Sequence, residues 1–249
     1  MSGHSKWASI KHKKAATDAK RGKTFTKIIK EITIAARMGG GEPDNNPRLR
    51  LAISNAKGAN MPADNIERAI KKGTGELPGV TYEEISYEGY GPGGVALYVK
   101  CLTDNKNRAS AEIRNIFSKK NGNMAGAGSV AWIFEAKGFV VVKVNAIDEE
   151  KLFDLVTEAG AEDMVREGDN FEITTDPADF EAVKNVIIAA DVAVESDELT
   201  MLPKNQVKVD GNQARGVLAL VEALEDHDDV QNVYANFDIP DETLDELQS

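Results

Sequence analysis

The chain has 249 residues, 41% of them hydrophobic, enough to build two or three small cores, and no run of about 18 apolar residues that would cross a bilayer. Cys101 is the only cysteine, which excludes an intrachain disulfide and argues against a thiolate zinc site. The net charge of −11 conceals a segregation: residues 1–80 carry 16 Lys and Arg against 7 Asp and Glu, and the rest carries 14 against 34. A basic segment joined to an acidic remainder points to a polyanion met from one end only.

Met1 to Lys14 carries Lys6, Lys11, Lys13 and Lys14 with no apolar stretch behind them, so no secretory signal is expected and the chain is read as cytoplasmic. Residues 1–22 read as a flexible basic arm in which His4, Trp7 and His12 interleave with the cations. These rings either stack on bases or cover a small apolar patch.

Thr24 to Met38 has the helical period: Phe25, Ile28, Ile29, Ile32 and Ala36 form one apolar stripe. Lys23, Lys27, Lys30 and Arg37 fall together on the opposite side, where Ile34 lands among them out of character. Gly39-Gly40-Gly41 stops this helix. A second begins at Asn46-Pro47, an N-cap followed by proline at the first helical position, and buries Leu49, Ala52, Ile53 and Ala56 before Gly58. Pro62 opens a third, with Ile66, Ala69 and Ile70 inside and Gly73 at its end. Three short half-apolar helices are stable only when packed together, so 23–80 is expected to be a helical bundle.

After a linker at 74–81 the texture changes. Val95 to Leu102 alternates as a strand, Asn107 to Lys120 is helical, and Val130–Glu135 and Phe139–Val144 read as strands on either side of Lys137-Gly138. From Phe139 to Glu195 the order is β-α-β-β-α-β, a ferredoxin-like unit. A strand at 206–209, a helix at 213–225 and a strand at 230–237 follow. Neither 82–135 nor 200–238 makes a layered domain alone, so the two are expected to form one α+β domain into which 138–198 is inserted, with 239–249 as an acidic tail. The fold class is therefore α+β and multidomain: a three-helix bundle and two α+β domains, one inserted in the other.

The chemistry is that of charge. Releasing counterions from a polyanion needs several cations on one rigid scaffold. The expected nucleic-acid-binding set is Lys6, Lys11, Lys13, Lys14, Arg21, Lys23, Lys27, Lys30, Arg37, Arg48, Arg50, Arg68 and Lys72, with Lys57 and Lys71 as extensions. The second and third helices have helix-turn-helix spacing, although Asp64 in the first turn of the third would repel phosphate. The Gly-rich stretches at 89–94 and 121–128 lead into strands, whereas phosphate cradles lead into helices. Asp226-His227-Asp228-Asp229 reads as a solvated helix end and Cys101 as an inert buried thiol. No catalytic group, metal or cofactor is expected.

Two N-terminal stretches, GHSKWASIKHKKAATDAKRGKTF and NPRLRLAISNAKGANMPADNIERAIKKGTGE, with YEGYGPGGVALYVKCLTDNKNR and GSVAWIFEAKG further on, resemble the YebC-type family of predicted transcriptional regulators. Mitochondrial relatives in that family are named translational activators of cytochrome c oxidase. The resemblance implies three domains, a cytoplasmic location and nucleic-acid binding without catalysis. It leaves two targets open, promoter DNA and the RNA of translating ribosomes. The acidic domains are read as spacers or protein-contact modules.

Overall fold

A computed structural model of the protein describes residues 18–240 and Thr243, with side chains from Gly22 onward. Helices α1 (Asp18–Gly39), α2 (Pro47–Gly58) and α3 (Ala63–Thr74) come first. Then follow β1 (Glu83–Tyr90), β2 (Ala96–Thr103), α4 (Lys106–Lys119) and β3 (Asn123–Ala125). The middle of the chain forms β4 (Phe134–Lys143), α5 (Glu149–Glu158), β5 (Ala161–Glu167), β6 (Asn170–Thr175), α6 (Phe180–Ala189) and β7 (Val194–Pro203). The last elements are β8 (Val207–Lys208), α7 (Gly211–Glu225), β9 (Val230–Ala235) and β10 (Phe237–Asp238).

The bundle forms because each helix brings one apolar face to a shared core. Ile32, Ala35 and Ala36 of α1 meet Leu49, Ala52 and Ala56 of α2 and Ile66 and Ala69 of α3, with Met61 from the turn between the latter two. Asn46 ties two helix ends together. Its Oδ1 accepts from the Leu49 amide at 3.1 Å, capping α2, while its Nδ2 donates to the Ala35 and Gly40 carbonyls at 2.8 and 2.9 Å. Gly73 permits α3 to lie close on α1, because a Cβ there would strike the Thr33 carbonyl and sit 2.7 Å from the Ala36 Cβ.

The chain divides by internal contact into two compact units. Within the described residues, one holds the bundle, the segment up to Ala131 and the segment from Val207; the other is Trp132–Gln206. In the first unit, an antiparallel sheet of order β3-β1-β2-β9 unites strands from both sides of the middle segment. Leu97, Val99 and Cys101 of β2 pack under α4 (Ile113, Phe117) and α7 (Val217, Leu220, Leu224). The second unit is a four-stranded antiparallel sheet of order β5-β6-β4-β7 with α5 and α6 on one face, the ferredoxin-like arrangement. One α+β domain is thus inserted in the other.

Two local readings change, and one strand is unannounced in the sequence. Helix α1 begins at Asp18, six residues before Thr24, so the end of the expected arm is helical; residues 1–17 of that arm lie outside the described residues. Of the two strands expected around Lys137-Gly138, most of the first is not a strand, Ala131–Ile133 being a 3-10 turn, and the second belongs to a longer strand, β4, that runs through Lys137-Gly138 without a break. Gly138 pairs with Thr175 on one side and Leu199 on the other, and Phe180 fills the space a side chain would occupy. Finally, β1 has no clean apolar alternation to announce it, since Glu83, Glu84 and Glu88 interrupt its sequence.

Candidate nucleic-acid interface

The basic side of α1 is an inner face. Lys30 is 7% exposed, and its Nζ lies 2.6 Å from Asp229 Oδ1 and donates to the Asp228 carbonyl at 2.9 Å. One and two turns earlier, Lys27 Nζ donates to the Glu225 carbonyl at 2.6 Å and Lys23 Nζ to the Asp226 carbonyl at 3.1 Å. These carbonyls belong to the end of α7 and the turn after it, where unsatisfied acceptors concentrate the negative pole of the helix. Three lysines spaced along one side of α1 therefore cap the C-terminus of α7 and fasten the bundle to the sheet domain.

Asp229 organises the rest of that junction. Its other oxygen accepts from Thr103 Oγ1 at 2.9 Å and from Arg108 at 2.8 Å, and Arg108 also reaches Asp104 at 2.7 Å. Burial pushes the Asp229 carboxyl up, but hydrogen bonds from Lys30, Arg108 and Thr103 outweigh it and hold the group down at about 2. His227 faces Glu112 with Nε2 2.8 Å from Oε2, and its Nδ1 accepts from the Asp229 amide at 3.1 Å. The acidic turn 226–229 is thus a docking element instead of a solvated helix end.

The expectation that Lys23, Lys27, Lys30 and Arg37 form one open phosphate-binding face is corrected accordingly. Lys30 is buried against a carboxylate, and Lys23 and Lys27 are committed to carbonyls of the same molecule. Arg37 stays exposed, its guanidinium 3.4 Å from the Val80 carbonyl. Arg48 is also structural. Its guanidinium forks onto Glu31 at 2.7 and 3.1 Å and pairs with Glu84 of β1, and the hydrogen bond to Glu31, against the cost of burial, raises its pKa further. The sequence carried one sign of this. Ile34, the apolar residue stranded among the cations, is 5% exposed, because that side of α1 is covered.

Apart from Arg37, what remains open of the expected set lies on α2 and α3. Arg50 and Lys57 are exposed and seven residues apart, so they share a face of α2. Arg68 is exposed and Lys72 half-buried, four residues apart on α3. None of these four forms an ion pair with a described residue; Arg50 only approaches the Pro43 and Asp44 carbonyls at 3.4 Å. Lys71, by contrast, is paired with Glu67 at 2.5 Å. Lys6, Lys11, Lys13 and Lys14, with His4, Trp7 and His12, lie outside the described residues, as does the side chain of Arg21.

Other candidate chemistry recedes. Burial pushes the Cys101 thiol up to about 12, which leaves it protonated and unreactive at neutral pH. Among the described residues no group of three His, Cys, Asp or Glu side chains is placed to hold a metal ion, and no helix is long and apolar enough to cross a membrane.

Comparison with known proteins converges on one family. Residues 5–76 match the model of the TACO1/YebC protein N-terminal domain and residues 82–237 that of the TACO1/YebC second and third domain. A probable transcriptional regulatory protein of Desulforapulum autotrophicum is 59% identical over 247 residues, covering 99% of this chain and 100% of that protein. Its counterpart in Geobacter sulfurreducens is 58% identical with the same coverage. The crystal structure of a conserved hypothetical protein from Aquifex aeolicus superposes with a TM-score of 0.83 at 48% identity, over 96% of this chain and 98% of that one. The chain is a member of the TACO1/YebC family.

Proposed function

We propose that the protein is a non-enzymatic, cytoplasmic nucleic-acid-binding regulator of gene expression whose grip on phosphate comes from the outer faces of α2 and α3, joined by the basic N-terminal residues. One observation carries the reading. Arg50, Lys57, Arg68 and Lys72 stand without an ion-pair partner among the described residues, although acidic side chains outnumber basic ones by 41 to 30 in the whole chain. Free cations in an acidic protein are what electrostatic capture of a polyanion requires. The names of the relatives, probable transcriptional regulatory proteins, support DNA as the first target. On this reading the protein binds duplexes with a base-dependent penalty that persists at moderate salt.

A second reading, a translation factor bound to ribosomal RNA, is favoured by one feature of α3. In a helix-turn-helix the first turns of the second helix face the bases. Here that part of α3 carries exposed Asp64 and Glu67, the latter engaging Lys71, and both repel phosphate. Titrating the purified protein against duplex DNA, single-stranded RNA and ribosomes across a salt series separates the two. Saturable duplex binding that discriminates sequence supports the regulator of transcription. Co-sedimentation with ribosomes and only steeply salt-dependent duplex binding supports the translation factor. No binding to any of the three at low salt refutes the proposal.

A further inference from the structure

The positive charge does not end with the bundle. Residues 82–131 hold six basic and five acidic side chains, whereas residues 132–249 hold eight and 29. Two of the six basic residues serve the fold, Lys106 paired with Glu83 and Arg108 with Asp104 and Asp229. Arg114, Lys119 and Lys120, at the far end of α4, are exposed and form no ion pair with a described residue. The negative pole of a helix end accounts for lysines at positions 119 and 120. It does not account for Arg114, which lies before the last turn.

Immediately after these cations the chain passes through β3, which ends its sheet, into an exposed loop made of Gly126, Ala127 and Gly128. That loop is held by a buried carboxylate. Glu88, 5% exposed, accepts from the amides of Gly128, Val130 and Ala131 at 2.7, 2.6 and 2.8 Å. Tyr90 adds a hydroxyl donated to the Ser129 carbonyl at 3.2 Å, and Ser129 Oγ donates to the Gly126 carbonyl at 2.7 Å. Burial raises the Glu88 pKa, but the backbone amides outweigh this and lower it, so the anion persists at neutral pH. A fixed loop with almost no side chain lets a partner approach its backbone closely.

We propose that α4 and the 126–128 loop form a second contact for a single-stranded polynucleotide, with Arg114, Lys119 and Lys120 binding its phosphates and the glycine loop admitting its backbone. The three-residue strand between them spans about 10 Å, about three phosphate spacings at the ~3.4 Å rise of a stacked strand. A single strand is favoured over a duplex because Arg114 and Lys119, five residues apart, lie about 140° from each other around α4, so a flexible backbone can follow them where a rigid one cannot, while Ala109, Ile113 and Phe117 hold the remaining side in the core. The proposal rests on the nucleic-acid reading given above.

The test compares Arg114→Glu/Lys119→Glu/Lys120→Glu with Arg50→Glu/Lys57→Glu/Arg68→Glu/Lys72→Glu, both in the full chain. The probe is a labelled RNA single strand of about 30 nucleotides, titrated across a salt series. The α4 variant is expected to bind at least about tenfold more weakly, with a log–log salt slope shallower by about 2, while unfolding like the wild type. Unchanged affinity and slope in the α4 variant, together with a loss in the α2/α3 variant, overturn this inference and leave the proposed function standing. A loss of affinity at constant slope also overturns it. Failure of the wild type to bind the strand at low salt overturns this inference; the proposed function falls as well only when duplex DNA and ribosomes also go unbound.

Discussion

Lys30 and Asp229 stand 199 residues apart in the sequence and 2.6 Å apart in the fold, with side chains only 8% and 4% exposed. The pair joins the helical bundle to the end of α7, and its desolvated geometry has a definite consequence. Replacing Lys30 by Met leaves Asp229 buried with Thr103 and Arg108 but without its closest cation. Breaking one side of a buried pair costs about 3–5 kcal/mol, so a loss of about 3 kcal/mol is expected from urea unfolding, the retained Arg108 setting the lower end. A change below about 0.5 kcal/mol, the ordinary range for exposed substitutions, contradicts the structural role.

Acid should release the same latch. Asp229 is held down at about 2 in the fold against an ordinary value of 3.8, so its folded form binds a proton less readily than its unfolded form. The sign follows: the stabilisation is complete above about pH 4 and is lost as pH falls through about 2. The difference is worth about 2 kcal/mol. Unfolding midpoints of the wild type and Asp229→Asn, compared at about pH 5 and about pH 2, should differ at the higher value and converge at the lower.

Much of the fold was legible in the sequence because its signals are local. The Asn46-Pro47 start, the glycine stops and the β-α-β-β-α-β order all rest on propensity and periodicity. The interface was harder to read, because charge pattern reports which cations share a side and not what faces them. Lys23, Lys27 and Lys30 have the spacing of a phosphate-binding face, yet an α7 terminus about 200 residues later occupies it. Only Ile34 showed from the sequence that this side was covered. Glu88 was invisible for a similar reason. Its partners are backbone amides of residues about 40 positions away, and backbone groups leave no mark on side-chain patterns.

The close approach of α3 to α1 is tested at Gly73. Alanine there drives a methyl group into the Thr33 carbonyl and the Ala36 side chain, both fixed by the packed bundle. Overpacking of this kind costs about 1–3 kcal/mol, enough to offset the better helix propensity of alanine. Thermal unfolding of Gly73→Ala should show a lowered midpoint; an unchanged or raised one shows that α1 and α3 separate freely.

Glu88 is expected to govern the order of the 126–131 loop. In Glu88→Gln one of the two acceptor oxygens becomes a donor that faces backbone N–H groups, leaving a buried amide unsatisfied at a cost of about 1–3 kcal/mol. Hydrogen exchange at Gly128, Val130 and Ala131 should accelerate in this variant while exchange in α1 does not. Equal protection in both proteins means the carboxylate does not hold the loop.

The most direct test of the account is the salt dependence of nucleic-acid binding in two charge-reversed proteins. Reversing Arg50, Lys57, Arg68 and Lys72 removes the open cations of α2 and α3; reversing Arg37 and Lys23 alters α1 at its exposed positions. The account predicts that the first variant loses affinity at least about tenfold and flattens the log–log salt slope by about 3, and that the second changes each far less. Retained affinity and slope in the α2/α3 variant, with loss confined to the α1 variant, contradict it.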